Sequence, residues 1–367
     1  MMQIKFLDLA AQYGTIKPEI DEAIAGVIAE SAFIGGKPVA SFEKSFASYQ
    51  QAEHCVGVAN GTDALEIVLK GLELPAGSEV IVPANTFIAT SEAVTSAGLK
   101  VVFCDCDPFT YTLSVADAER KITPATRAIV AVHLYGQPCD MDALMHLARQ
   151  RGLTVVEDCA QAHGAQFKGQ RVGTFGAAGT FSFYPGKNLG AYGDGGAIVT
   201  GDPELAKRCR MIANHGRIAK YDHEFEGRNS RLDGLQAAIL ETKLRHLEQW
   251  TEARRSLAAR YSERLSGSGL VVPAVRDGLR HVFHLYVIQV EERERVQAVL
   301  KQEGIDCGVH YPVMLPLLGA YRHLGHTAAD FPVAAGLMPR ILSLPLYPEL
   351  GEERQDRVIE TLRRAVS

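Results

Sequence analysis

Apolar positions along the chain fall into two kinds of run. Residues 16–29 and 39–50 repeat them at helical spacing, with Phe33-Ile34-Gly35-Gly36 as the break between two amphipathic helices. Short β-branched runs at 55–59, 79–83, 101–104, 128–133 and 154–158 then alternate with helical stretches at 64–72, 91–97, 115–121 (after a Ser114 cap) and 141–151. That alternation predicts a mostly parallel sheet covered by helices on both faces. A β-prone segment leads into Pro185, residues 195–200 add a strand and residues 203–213 a helix. Residues 214–231 are polar and irregular. A long helix then opens at Leu235 and runs, bent, to about Leu265. The expected domain boundary lies along it, with residues 1–245 as a large domain and 246–367 as a smaller α/β domain. The smaller one would hold strands at 284–290 and 341–344, a helix at 294–303 and a final helix from Glu352.

Two junctions in this pattern carry chemistry. Asn60-Gly61-Thr62 joins a buried strand to a helix, and such a junction presents free N–H groups and the positive end of a helix dipole, which suits a phosphate. Neither G-x-G-x-x-G nor G-x-x-x-x-G-K-[ST] is present there, which argues against a dinucleotide site or an ATPase. The second junction is Phe181-Ser182-Phe183-Tyr184-Pro185-Gly186-Lys187-Asn188-Leu189-Gly190, where a single lysine sits in a glycine-rich turn. A lysine in a tight, partly apolar place loses its charge more readily and becomes a nucleophilic amine. Between the two lies the Glu157-Asp158 pair, read either as a helix-capping pair or as a carboxylate for a buried cation.

Composition narrows the class. The 367 residues are 47% hydrophobic and 22% charged, which excludes disorder and leaves room for two domains. A formal net charge of -5 gives no nucleic-acid footprint. Seven scattered cysteines set no disulfide framework, and Cys104-Asp105-Cys106 lacks a second ligand pair, so no metal is expected. Residues 1–13 lack a signal-peptide pattern, and no apolar run reaches the roughly twenty residues of a membrane span. A cytoplasmic protein with no membrane partner is the expectation.

Asn60 to Thr62, Phe87, Asp158 and Ser182 with Lys187 together match the needs of pyridoxal 5'-phosphate. Its aldehyde needs a lysine, its ring nitrogen a carboxylate, its phosphate a helix start with hydroxyls, and its ring a flat apolar face. Several longer strings extend the match. They are Ala59-Asn60-Gly61-Thr62-Asp63-Ala64-Leu65, Pro83-Ala84-Asn85-Thr86-Phe87-Ile88-Ala89-Thr90, His133-Leu134-Tyr135-Gly136-Gln137, Glu157-Asp158-Cys159-Ala160-Gln161-Ala162-His163-Gly164-Ala165, the Lys187 stretch, and Asn229-Ser230-Arg231-Leu232-Asp233-Gly234-Leu235-Gln236. In their order they resemble the DegT/DnrJ/EryC1/StrS family, from about Ile4 to the C-terminal helix.

The resemblance implies an aspartate-aminotransferase-like α/β fold (fold type I), with a mostly parallel sheet in the large domain and a smaller C-terminal α/β domain. It also implies a pyridoxal-phosphate sugar aminotransferase. In that reading Lys187 carries the cofactor and then serves as base and acid, Asp158 pairs with the ring nitrogen, and Gln161 bonds the cofactor's hydroxyl oxygen. Phe87 stacks on the ring. Gly61, Thr62 and Ser182 hold the phosphate, joined by Asn229 from a partner subunit in a homodimer with shared sites. His163 either shapes the site or is structural. Dehydratases of the family carry histidine where this chain has Lys187, which favours transamination. The implied donor is L-glutamate and the acceptor a nucleotide-linked keto sugar. His133-Leu134-Tyr135-Gly136-Gln137-Pro138, the Lys187 loop from Pro185 to Gly190 and Gly308-Val309-His310-Tyr311-Pro312 look most like the 3-keto branch, acting on dTDP-3-keto-6-deoxyhexoses or a UDP-linked 3-keto-uronic acid. The 4-keto branch is the alternative. His310, Tyr311 and the partner's Arg231 would contact the sugar or diphosphate, although His310-Tyr311-Pro312 also reads as a plain turn. A non-catalytic regulatory member and a cysteine desulfurase using Cys307 or Cys139 are the rivals of other classes.

Overall fold

Burial on both faces is what the short β-branched runs require, and the computed structural model, which describes residues 3–366, places them accordingly. The main sheet has seven strands: β1 (His54–Val58), β2 (Glu79–Pro83), β3 (Lys100–Cys104), β4 (Thr126–Val132), β5 (Thr154–Asp158), β6 (Ala178–Ser182) and β7 (Gly196–Thr200). Their order is β1-β7-β6-β5-β4-β2-β3. Alternate side chains of β2 enter different cores, Val80 and Val82 on one face and Ile81 on the other. Helix α3 (Gly61–Gly71) packs on the first face through Ala64, Leu65 and Val68. Helix α6 (Met141–Arg151) packs on the second through Leu144 and Leu147.

The pairings from β6 to β3 are parallel, and β7 runs antiparallel to both of its neighbours, β1 and β6. The reversal follows from the connection. Parallel neighbours need a crossover, usually helical. The segment between β6 and β7 is instead the helix-free Lys187 loop, so the chain turns back on itself and β7 returns antiparallel.

Two helices depart from the spacing read in the sequence. The first, α1, spans Leu9–Glu30 and starts well before residue 16, capped by Asp8 accepting from Ala11 N at 3.1 Å. Ile16 has non-helical φ/ψ two residues before Pro18, and that kink interrupts the apolar period. The long helix expected from Leu235 is two, α8 (Gly234–Leu244) and α9 (Leu247–Leu265). Arg245 and His246 at the joint both pair with Glu19 of α1. The polar stretch 214–231 contains a small hairpin, Arg217–Ala219 with Asp222–His223.

Towards the C-terminus, β8 (Tyr286–Gln289) pairs antiparallel with β9 (Ile341–Leu344). These strands share a core with α9, α10 (Arg293–Gln302) and α12 (Glu352–Val366), and Ile4 joins the same core while bridging Ile305. No helix among the described residues is long and apolar enough to cross a membrane.

Candidate active site

The carboxyl ends of β4, β5 and β6 open onto a cavity of about 680 Å³. Ligands on parallel sheets bind at such ends. Gly61, Thr62, Phe87, Asp158, Gln161, Ser182, Lys187, His310 and Tyr311, all singled out in the sequence, line it.

One wall is the start of α3. Asn60 Oδ1 accepts from Asp63 N at 2.8 Å and Asn60 O from Ala64 N at 3.1 Å, so the N–H groups of Gly61 and Thr62 stand ahead of the first helical bond. A Cβ on Gly61 would lie 2.6 Å from the Ser182 Cβ. Only glycine lets the helix start come this close to the Ser182 hydroxyl, and the result is a small anion cradle. Gly61→Ala should therefore weaken binding of a phosphate-bearing cofactor and destabilise the fold by about 1–3 kcal/mol, as overpacking does. A cofactor titration and a thermal melt check this.

Burial lowers the Lys187 amine to about 8, with Asp158 opposing. Roughly a tenth of it is then neutral at pH 7, where an ordinary lysine is almost wholly charged. Asp158 is buried at the end of β5, accepting from Thr90 Oγ1 at 2.8 Å and Ala160 N at 3.1 Å. Burial raises its pKa, while Thr90, Ala160, Lys187 and His133 all pull it down. Among the described residues it makes no ion pair, so a buried carboxylate faces the cavity with room for a cationic ligand atom.

Gln161 is held at both ends: its Oε1 accepts from Tyr135 N at 2.6 Å, and its Nε2 donates to Tyr311 Oη at 3.2 Å. One amide N–H remains. Tyr311 lies 5.6 Å from the half-exposed Phe87 ring, tilted by 38°. His310 bonds Ser343 Oγ at 2.9 Å and stacks on Phe6 at 5.6 Å, and burial lowers it to about 4, so it is neutral.

Other expected residues lie elsewhere. Asn229 is exposed and Arg231 half-buried, outside the cavity of their own chain, and Arg231 Nη1 donates to Asn214 Oδ1 at 3.3 Å. His163 is fully buried behind the cavity among Phe46, Phe181 and Phe183. Burial lowers it to about 3. Cys139 and Cys307 do not line the cavity.

The carboxylates of Glu157 and Asp158 separate because neighbours on a strand point to opposite faces. Glu157 accepts from Gly173 N and Phe175 N at 2.7 Å, Gly176 N at 2.8 Å and His133 Nε2 at 3.0 Å. His133 Nδ1 in turn accepts from Cys139 N at 3.0 Å. His133, Glu157 and Cys159 are close enough to hold a metal ion. Both histidine nitrogens and both carboxylate oxygens are already engaged, however, so the cluster braces the 173–176 turn. Glu157→Ala should cost about 3–5 kcal/mol, as breaking a buried charged network does, read from a urea melt. Asp105 likewise caps the short helix α11 (Pro332–Leu337), accepting from Val333 N and Ala334 N.

Among the cavity residues that the sequence reading gave no role are Thr90, His284, Arg254, Phe6 and Asp194. Thr90 stands inside a string already quoted, and its hydroxyl contact only appears when α4 (Ala89–Ser96) folds over Asp158. Arg254 could have been found. It falls on the buried stripe of α9 with Trp250, Leu257, Tyr261 and Leu265, a place where a surface arginine would not sit.

The profile of the DegT/DnrJ/EryC1/StrS aminotransferase family matches residues 14–363. A "Pleiotropic regulatory protein" of Geobacillus stearothermophilus is 46% identical over 364 residues, covering 98% of each chain. The dTDP-3-amino-3,4,6-trideoxy-alpha-D-glucose transaminase of Streptomyces venezuelae is 44% identical, over 98% of this chain and 96% of its own. The crystal structure of S. venezuelae DesV in complex with a ketimine intermediate superimposes with a TM-score of 0.98 at 44% identity, over 100% of this chain and 99% of the other. NtdA from Bacillus subtilis, solved with bound cofactor PMP, matches with a TM-score of 0.92 at 31% identity, over 100% of this chain and 86% of the other.

Proposed function

The chain belongs to the DegT/DnrJ/EryC1/StrS aminotransferase family, and on that premise we propose that it moves an amino group from L-glutamate to the C3 ketone of a nucleotide-linked sugar, using pyridoxal 5'-phosphate. The observation that carries this reading is that Lys187 and Asp158 face one cavity beside the glycine-cleared start of α3. The dTDP-3-amino sugar named for the Streptomyces relative supports the position of amination and favours a dTDP-3-keto-6-deoxyhexose. A UDP-linked 3-keto sugar is the next acceptor to assay.

The fit of the cofactor rests on three features: the cradle at Gly61, the buried carboxylate without an ion pair, and a half-exposed ring at Phe87. Pyridoxal phosphate, when bound, supplies the electron sink that stabilises negative charge on the carbon losing its proton. Lys187 Nζ would hold its aldehyde at rest. The same amine, when free, would take the proton from the donor's α-carbon and deliver one to the sugar carbon. Asp158 would keep the ring nitrogen protonated, and Thr90 orients that carboxylate. Gly61, Thr62 and Ser182 would bind the phosphate. Gln161 would bond the ring oxygen through its remaining N–H, and Phe87 would cover the ring face.

Asn229 and Arg231 would complete the site of a second subunit, Asn229 at the phosphate and Arg231 at the sugar or diphosphate, together with His310 and Tyr311. The working form would then be a homodimer. A guanidinium suits a diphosphate.

The test follows the cofactor's absorbance. With pyridoxal phosphate bound, the purified protein should lose its visible band on addition of L-glutamate and regain it with a dTDP-linked 3-keto sugar. Recovery with a 4-keto sugar alone would move the reaction to C4. A regulatory role is the second reading, favoured by the name of the Geobacillus relative. A bound cofactor whose band no amino acid alters would favour it.

A further inference from the structure

Arg254 carries the cavity's guanidinium: among the described residues no other arginine lines it. The side chain is only 4% exposed. Its Nη1 donates to Leu346 O at 2.7 Å and, at longer range, to Phe283 O at 3.4 Å and His284 O at 3.5 Å. Among the described residues it makes no ion pair, and its other guanidinium nitrogens have no hydrogen-bond partner there either. The carboxylate whose field reaches it is Glu349, beyond ion-pair range, and burial raises the pKa of Glu349 itself. A buried cation without a counter-ion is costly to maintain. The cost is met when a ligand brings the anion.

The position also fits. His284 lines the cavity between the two cations: Arg254 Nη1 lies 3.5 Å from His284 O, and His284 Nδ1 lies 3.3 Å from Oδ1 of Asn188, the residue after Lys187. Burial and those two cations hold His284 neutral, which leaves Arg254 without competition from a nearby imidazolium. A carboxylate is the anion whose geometry a planar guanidinium matches.

We propose that Arg254 binds a substrate carboxylate in this cavity, that of the amino donor, beside the carbon presented to Lys187. Naming the donor as the source rests on the aminotransferase reading above; the carboxylate site itself does not. A uronic-acid sugar would offer the same chemical group, and the test separates the two.

Glutarate, a dicarboxylate without an amine, is titrated calorimetrically into the cofactor-free protein, wild type against Arg254→Gln and Arg254→Lys. The two half-reactions are then followed separately on the loaded enzymes. Arg254→Gln should weaken glutarate binding and raise the KM for L-glutamate roughly 10- to 100-fold, the range for losing a charged hydrogen bond. The maximal rate should change far less, Arg254→Lys should recover part of the loss, and the half-reaction with a dTDP-3-keto-6-deoxyhexose should be unaffected. If only the half-reaction of a uronate sugar weakens, the carboxylate belongs to the sugar and the donor assignment is overturned. If glutarate binding is unchanged, the proposal is overturned. It is also overturned if both half-reactions fall equally in both variants with a lower melting temperature, for then Arg254 merely ties α9 to the strand ends. If the wild type transfers to no sugar yet binds glutarate through Arg254, the proposed function fails and the carboxylate site stands.

Discussion

Lys187→Ala should lose at least about 10⁴-fold in amino transfer, because one amine is asked to act both as nucleophile and as proton carrier. The loss should not come from unfolding. The folded amine titrates near 8 against an ordinary 10.5. A depressed lysine pKa means that the folded protein holds the charged form at a disadvantage. That penalty is fully present below about pH 8, shrinks as pH rises towards the unfolded value, and is gone above it. Lys187→Ala should therefore melt at or above the wild-type temperature at pH 7, with the gap closing at alkaline pH. Reaction of the cofactor-free wild type with a small aldehyde should likewise rise as pH passes through about 8. A variant that is inactive because it melts early would remove the assignment.

Asp158→Asn is the second large effect. The amide oxygen can still accept from Thr90 or Ala160, while the negative charge facing the cavity is lost. Turnover should fall by about 10²–10³-fold, the scale of removing one preorganised electrostatic contact from a water-poor site. Burial already raises the Asp158 pKa, so at neutral pH the ionised form is a burden on folding. The variant should be as stable as the wild type or more so. The contrast with Glu157→Ala is sharp: adjacent carboxylates on one strand, one whose loss removes activity and one whose loss removes stability.

The alternation of strands and helices was plain from residue 54 to residue 158, because the central strands β2, β4 and β5 are buried on both faces and their apolar runs are continuous. The reversal of β7 was not. It depends on the Lys187 loop having no helix, a property of the connection rather than of either strand. The kink at Ile16 and the joint at Arg245-His246 were hidden for a related reason. Pro18 and the pairing with Glu19 act across a helix pattern that otherwise looks continuous. At the site, the quoted strings contained the residues that meet the cavity from the sheet. Composition and spacing left the Glu157-Asp158 pair open; only the resemblance singled out Asp158, and strand alternation supplies the physical reason that the two carboxylates part. Arg254 and His284 reach the same cavity from distant parts of the chain, and only folding brings them to the cavity that Lys187 also lines.

The most direct measurement follows the nitrogen atom itself. Purified protein is loaded with pyridoxal phosphate and given ¹⁵N-L-glutamate with a dTDP-linked 3-keto-6-deoxyhexose, and the sugar product is read by mass spectrometry and NMR. The account predicts ¹⁵N bonded to C3 of the sugar and release of 2-oxoglutarate in equal amount. No ¹⁵N in any 3-keto nucleotide sugar offered, dTDP- or UDP-linked, from a protein that binds the cofactor, would contradict it.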